Sequence, residues 1–241
     1  MAEVMTPQFW TGLLTIIWVN IILSGDNAVV IALAARSLPP HQQKQAVFWG
    51  AGAAVVMRIV LTIAAVELLK LPFLKLIGGV LLLWIAVNLL IPEDDGEDGI
   101  ESSSNLWAAI KTILIADLVM SLDNVIAVAA AAKGSIVLLI LGLAISIPLV
   151  IFGATMLMKL MERYPIIITI GAGILGWVAG EMMATDPVIR EWVNEHAAWL
   201  HWAAPAAGAV FVVALGKWLA ARAAREEKGV VDLAGEEPHK P

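Results

Sequence analysis

The chain contains no cysteine, which excludes disulfides, thiolate metal centres and thiol-relay chemistry. Charge is scarce too: only 15% of the 241 residues are Asp, Glu, Lys or Arg, against 60% hydrophobic, and the mean hydropathy is +0.86. So few charges do not cover the surface of a water-soluble protein of this length. The first ten residues carry no Lys or Arg, so they lack the basic start of a cleaved signal peptide, and the first helix is expected to be retained. The apolar runs are about 20 residues long rather than alternating ten-residue segments, which selects a polytopic α-helical membrane protein over a barrel. The net charge of −6 says little about partners, because many acids sit in loops and the tail.

Within this apolar sequence one polar cluster occurs twice. The first copy is Asn20-Ile-Ile-Leu-Ser24-Gly25-Asp26-Asn27; the second, 97 positions on, is Asp117-Leu-Val-Met-Ser121-Leu122-Asp123-Asn124. The flanks keep register: Trp10 matches Trp107, Thr15 matches Thr112 and Arg36 matches Lys133. A carboxylate inside a membrane-spanning segment costs at least about 2.5 kcal/mol. Incurring that cost twice, in register, points to a duplicated membrane protein with a cation site where the copies meet.

Seven spans are expected, over 10–34, 45–69, 72–91, 106–132, 135–158, 165–183 and 201–221, punctuated by Pro39-Pro40, Pro72, Pro92, Gly134, Pro165 and Pro187. A second block repeats: Ile77-Gly-Gly-Val-Leu-Leu-Leu-Trp84-Ile-Ala-Val-Asn88 resembles Ile170-Gly-Ala-Gly-Ile-Leu-Gly-Trp177-Val-Ala-Gly-Glu181, at an offset of 93. Helices 1–3 therefore repeat as helices 4–6. Because three is odd, the second half enters from the opposite side, giving an inverted repeat with its site near the midplane. The expected divisions are a first three-helix repeat over 1–92, an acidic linker over 93–105, a second repeat over 106–183, an interfacial segment with a seventh helix over 184–221, and a disordered tail over 222–241. Lys70, Lys75, Lys133 and Arg190 fall on the side of the N-terminus; Arg36, Lys44, Lys159, Arg163, Arg222, Arg225 and Lys228 fall on the other. The excess of basic residues on the second side predicts an outside N-terminus and a cytoplasmic C-terminus.

Residues at i, i+4 and i+7 share one helix face, so Asn20, Ser24 and Asn27 form a polar stripe, as do Asp117, Ser121 and Asn124. Asp26 and Asp123 lie about 100° off their stripes. Unwinding at Gly25 would bring Asp26 into line, in the manner of broken transporter helices; the second copy has Leu122 there. In antiparallel helices, at about 1.5 Å per residue, Asp117 falls level with Asp26, and Asn20 level with Asp123. Two half-sites result, Asp26 with Asp117 and Asp123 with Asn20, and the first should hold a divalent cation more tightly. Carboxylate, amide and hydroxyl oxygens suit Mg2+, Ca2+ or Mn2+ and argue against Cu(I) or structural Zn2+. Na+ stays an alternative, though three carboxylates exceed what one Na+ neutralises. Protonation of one Asp would couple proton to metal movement. The plainer alternative is interhelical hydrogen bonding by these groups, for which Asn and Ser would suffice.

Arg58 reads either as a counter-ion to the Asp cluster or as a snorkelling or interhelical residue. Asn88 and Glu181 occupy matching places near the ends of helices 3 and 6, where they would line an entry path or sit at the interface. Glu67, near a helix end, reads as interfacial. His196 and His201 flank Trp199 and Trp202 and read as headgroup-belt residues, while Trp84 and Trp177 are expected to pack inside the repeats. The many glycines read as close-packing positions.

Ser24-Gly25-Asp26-Asn27-Ala28 and Ser121-Leu122-Asp123-Asn124 resemble the paired Asp-Asn motifs of the TerC family, named for a tellurium-resistance locus and related to the lysine-exporter-like transporters. The resemblance covers helices 1–6 and suggests a short bacterial member in the inner membrane. It implies manganese handling, either Mn2+ efflux or metal supply to secreted enzymes. It makes Asp26, Asn27, Asp117, Asp123 and Asn124 the metal-binding residues, supported by Asn20, Ser24, Gly25, Ser121 and Arg58. Asn20 departs from the pattern, standing where an exact repeat of Asp117 would place Asp. The leading expectation is a non-enzymatic Mn2+ exporter, with the metal as substrate, no organic cofactor, no nucleic-acid partner, and homo-oligomerisation left open. The alternatives are an intramembrane aspartyl protease and an interaction scaffold of the tellurium-resistance type.

Overall fold

In the computed structural model, residues 7–22, 25–68, 71–91, 102–132 and 135–234 are described; the side chains of Asn20, Glu67 and Asp123 lie outside that description. The described residues form α1 (Pro7–Ile22), α2 (Gly25–Ala35), α3 (Pro40–Leu68), α4 (Leu74–Asn88), α5 (Ser102–Ala132), α6 (Ile136–Arg163), α7 (Ile166–Ala184), α8 (Pro187–His196) and α9 (Leu200–Ala234), with no strand among them. Pro7, Pro40 and Pro187 each open a helix, where the missing N–H is not needed and the fixed φ is already helical. Long apolar segments choose helix because lipid offers no partner for backbone N–H and C=O groups. By length and composition, four helical stretches suffice to cross a membrane: Pro40–Ala64, Ile136–Arg163, Ile166–Ala184 and Leu200–Arg225.

The core gathers around α2, whose residues from Asn27 to Ala35 are all buried. A helix apolar on every side belongs inside a bundle, and α2 packs against α3, α5, α6 and α7. A second cluster joins α1, α3, α5 and α6 through Phe9, Leu13, Ile16, Val55, Val128, Leu139 and Leu143. The outer faces carry large exposed apolar side chains such as Trp18, Phe48, Phe152 and Val210, the surface that hydrocarbon rather than water covers. On α7 and α9 the backbones themselves meet. A Cβ on Gly180 would run into the carbonyl of Ala204, and one on Gly208 into the carbonyl of Gly176.

Helix α4 is held at both ends by side chains from elsewhere in the chain. Its N-cap residue, Phe73, is left-handed (φ 63°) and makes no side-chain cap. Asp186 does that work from across the fold: Lys75 and Leu76 donate their backbone N–H groups to its Oδ2, each at 3.1 Å. The other oxygen of the same carboxylate, Oδ1, accepts from Val188 N at 2.9 Å and so caps α8. At the far end, Arg36 donates from Nη2 to the carbonyl of Leu89 at 2.9 Å. An anion at the helix start and a cation at its end both suit the α4 dipole.

Several expectations change here. Trp84 is 63% exposed and Trp177 37%, so neither packs inside the repeats; α4 turns Gly78, Gly79, Leu82, Ile85 and Ala86 inward instead, and Trp177 meets Trp202 edge-to-face. The tail expected to be disordered from 222 continues α9 as helix to Ala234, because Ala, Arg, Glu and Lys are strong helix formers. Residues 102–105, counted with the linker, begin α5. The interfacial segment contains a capped helix, α8.

Candidate functional site

Near the middle of the bundle α3 and α5 bring three buried polar side chains together. Arg58 is 3% exposed, Asp117 5% and Ser121 0%. Arg58 donates from Nη2 to Asp117 Oδ1 at 2.6 Å and from Nε to Ser121 Oγ at 3.0 Å. Ser121 Oγ in turn donates to Asp117 Oδ2 at 3.1 Å. The triangle is closed, since Asp117 and Ser121 stand one helical turn apart on one face and the guanidinium fork reaches both. Opposed charges and mutual hydrogen bonds reduce the cost of holding these groups in hydrocarbon.

Asp26 is half-buried in the first turn of α2, the helix that packs against both α3 and α5. Asn27 donates its backbone N–H to Asp26 Oδ1 at 2.9 Å. Unwinding is expected at Gly25; Gly25 is the first residue of α2, and residues 23 and 24 before it lie outside the described residues. In the second copy α5 runs unbroken through Leu122. Asn27 and Asn124 are both buried.

The structure thus brings Asp117, Ser121 and Arg58 into one hydrogen-bonded cluster, with Asp26 on the neighbouring helix α2. Asn20 and Asp123 reside on α1 and α5, but their side chains, like Ser24 as a whole, lie outside the described residues, so the second half-site is not described. Among the described residues no group of three or more His, Asp or Glu side chains is placed to hold a metal ion. Asp117 is held by a guanidinium, whereas the sequence reading had it facing a metal directly.

A cleft of about 500 Å3 opens at the end of the bundle where α2, α4 and α6 finish and α7 begins. Arg36, Asn88, Glu162, Thr169 and Lys217 supply its polar lining, and Leu33 forms part of its apolar wall. Leu33 is seven residues from Asp26 on α2, about 10 Å along the helix axis. Asn88 lines this cleft. Glu181 is exposed near the opposite end of α7. His201 Nε2 and Asn194 Oδ1 are hydrogen-bonded at 2.8 Å, and His196 stacks on Trp192. Sequence reasoning missed Lys217 and Asp186. The Asp186-Pro187 pair signals a helix start, but nothing local signals that Asp186 also caps α4.

The Integral membrane protein TerC family model matches residues 5–224. The chain belongs to the TerC family. This TerC-family protein is 45% identical over 192 residues to the Uncharacterized membrane protein YjbE of Bacillus subtilis, an alignment covering 80% of this chain and 88% of that one. It is 27% identical over 187 residues to the Uncharacterized membrane protein YkoY of the same organism, covering 69% and 57% of the two chains. It is 26% identical over 197 residues to the UPF0053 protein YegH of Escherichia coli, covering 74% of this chain and 37% of that one. No solved structure matches.

Proposed function

We propose that this TerC-family protein is a non-enzymatic exporter of a hard divalent metal ion, most of all Mn2+, working by alternating access in the bacterial inner membrane. Seven spans form two inverted three-helix repeats and a seventh helix, with the N-terminus outside and the C-terminus in the cytoplasm. The buried cluster of Asp117, Ser121 and Arg58, with half-buried Asp26 on the neighbouring helix α2, carries this reading. Intramembrane ionisable groups that face the bundle interior mark ion pathways by default, and Asp117 and Ser121 belong, like Asp26, to a polar block that occurs twice in register. Asp26, Asp123, Asn27 and Asn124 offer oxygen ligands of the kind Mn2+ prefers over softer donors. The cleft bearing Asn88 supplies an approach from the basic end of the bundle; Leu33, which lines it, is about 10 Å along α2 from Asp26. The engagement of Asp117 by Arg58 speaks against the protease alternative, because a carboxylate held by a guanidinium is not poised to share a proton with a second Asp.

The test is cytoplasmic Mn2+ in cells depending on this protein for efflux, with Asp26→Asn and Asp123→Asn. Both variants are expected to raise cytoplasmic Mn2+ to the level of cells lacking the protein. Unchanged Mn2+ in both, with normal membrane expression, refutes the assignment and favours a scaffold, which would survive loss of every Asp. Cleavage of a transmembrane reporter by the wild type alone would favour the protease.

A further inference from the structure

The transport reading needs a cation beside Asp117, and the protein already supplies one of its own. Resting on that reading, we infer that Arg58 is a tethered stand-in for the transported metal: its guanidinium holds Asp117 between transport events, and the divalent ion engages Asp117 by displacing it. Each Asp117 oxygen already accepts a hydrogen bond, Oδ1 from Arg58 at 2.6 Å and Oδ2 from Ser121 at 3.1 Å, and Ser121 is itself pinned by Arg58 Nε at 3.0 Å. A metal ion approaching that carboxylate meets a like charge at hydrogen-bond distance.

Charge accounting gives the device its selectivity. With both carboxylates ionised, Asp26, Asp117 and Arg58 carry one net negative charge; with the guanidinium withdrawn the carboxylates carry two, which is what a divalent ion neutralises. A buried carboxylate stripped of its counter-charge is strongly unfavourable, so Arg58 leaves only as another cation arrives. A monovalent ion offers a single charge without the guanidinium's fixed fork of donors, and so displaces it poorly. Because Arg58 is on α3 and Asp117 on α5, the exchange also loosens one helix contact at the moment of binding, which links occupancy to movement between the repeats.

The experiment measures Mn2+ affinity by calorimetry on the purified full-length protein and on Arg58→Gln, Arg58→Lys and the double variant Arg58→Gln/Asp117→Asn. Apparent affinity falls by the fraction of molecules whose site is competent, and the ion pair keeps that fraction small, so Arg58→Gln is expected to bind Mn2+ at least about ten times more tightly than wild type. Arg58→Lys, whose point charge cannot hold Asp117 and Ser121 together as the fork does, falls between. The double variant returns to wild-type affinity or weaker. Should Arg58→Gln not fold, Arg58→Lys decides: tighter binding supports the inference and unchanged or weaker binding overturns it. Folded variants that bind no more tightly than a Mn2+-binding wild type overturn this inference and leave the transport reading standing. A folded wild type that neither binds nor moves Mn2+ overturns both.

Discussion

Replacing Asp186 should unfasten two helices at once, by an amount that depends on how many acceptor oxygens remain. The residue is 0% exposed, so water does not replace the carboxylate when it is removed. Asp186→Ala strands the N–H groups of Lys75 and Leu76 at the start of α4 and that of Val188 in α8. Each lost cap is worth about 0.5–2 kcal/mol, and burial of the stranded donors pushes the pair toward the upper part of that range, about 2–4 kcal/mol together. Asn keeps one acceptor oxygen and turns a donor toward the other set of N–H groups, so Asp186→Asn preserves one cap and loses about half as much. At about 2–4 °C per kcal/mol for a chain of this size, Ala lowers Tm by about 5–15 °C and Asn by about half that. Tryptophan fluorescence during heating in detergent reads the transition, since the chain has ten Trp. An Ala variant within about 1 °C of wild type, or an Asn variant as damaged as Ala, refutes the shared-cap account.

The absence of native cysteine makes the chain a ready background for labelling: Asn88→Cys and Thr169→Cys should react with a membrane-impermeant maleimide from the cytoplasmic side and Glu181→Cys from outside, and the reverse pattern would invert the proposed orientation. Gly208→Val and Gly180→Val should each part α7 from α9, at about 1–3 kcal/mol from overpacking, seen as a loss of monodisperse protein in size-exclusion chromatography; normal elution and Tm would show that the interface yields. In a thermal double-mutant cycle, Arg58→Gln and Asp117→Asn should each destabilise by about 3–5 kcal/mol, with the double variant less damaged than either single; additive losses would mean the pair is not a unit.

The membrane class, the helical segments and the family were legible because long apolar runs and a repeated polar octet are local signals. Arg58 was visible as one cation in an apolar span, yet periodicity along α3 could not say that it faces Asp117, 59 positions away. The inward placement expected of Trp84 and Trp177 failed because matching positions were taken as core, whereas in a bilayer the outer face welcomes large apolar rings and the inner face of α4 needs small ones where α7 presses close. The course of α9 past Arg222 was missed because charge was read as disorder, although Arg, Glu, Lys and Ala extend a helix into water readily. Asp186 was legible only as the cap of α8, because α4 is brought to it by tertiary packing.

The departure of the repeat from exact symmetry and the presence of Arg58 are one fact seen twice. Where the first copy has Asn20 the second has Asp117, an extra negative charge. Arg58 lies on α3, in the first repeat, and the matching stretch of α6, Ile151 to Thr155 at offsets of 93 to 97, contains no cation. The extra carboxylate and the extra guanidinium are therefore both unmatched, and in the folded protein they pair with each other at 2.6 Å. Subtract the pair, and the halves present equivalent sets: Ser24, Asp26 and Asn27 against Ser121, Asp123 and Asn124. Two such sets alone would be equal, with no built-in cation. Adding a charge pair to one of them leaves net charge unchanged and stability little altered, since neither charge is buried alone, while making the two half-sites unequal. On the proposed transport reading, that inequality would give the carrier a distinguishable resting state, held by α3 and α5 until a competing cation arrives.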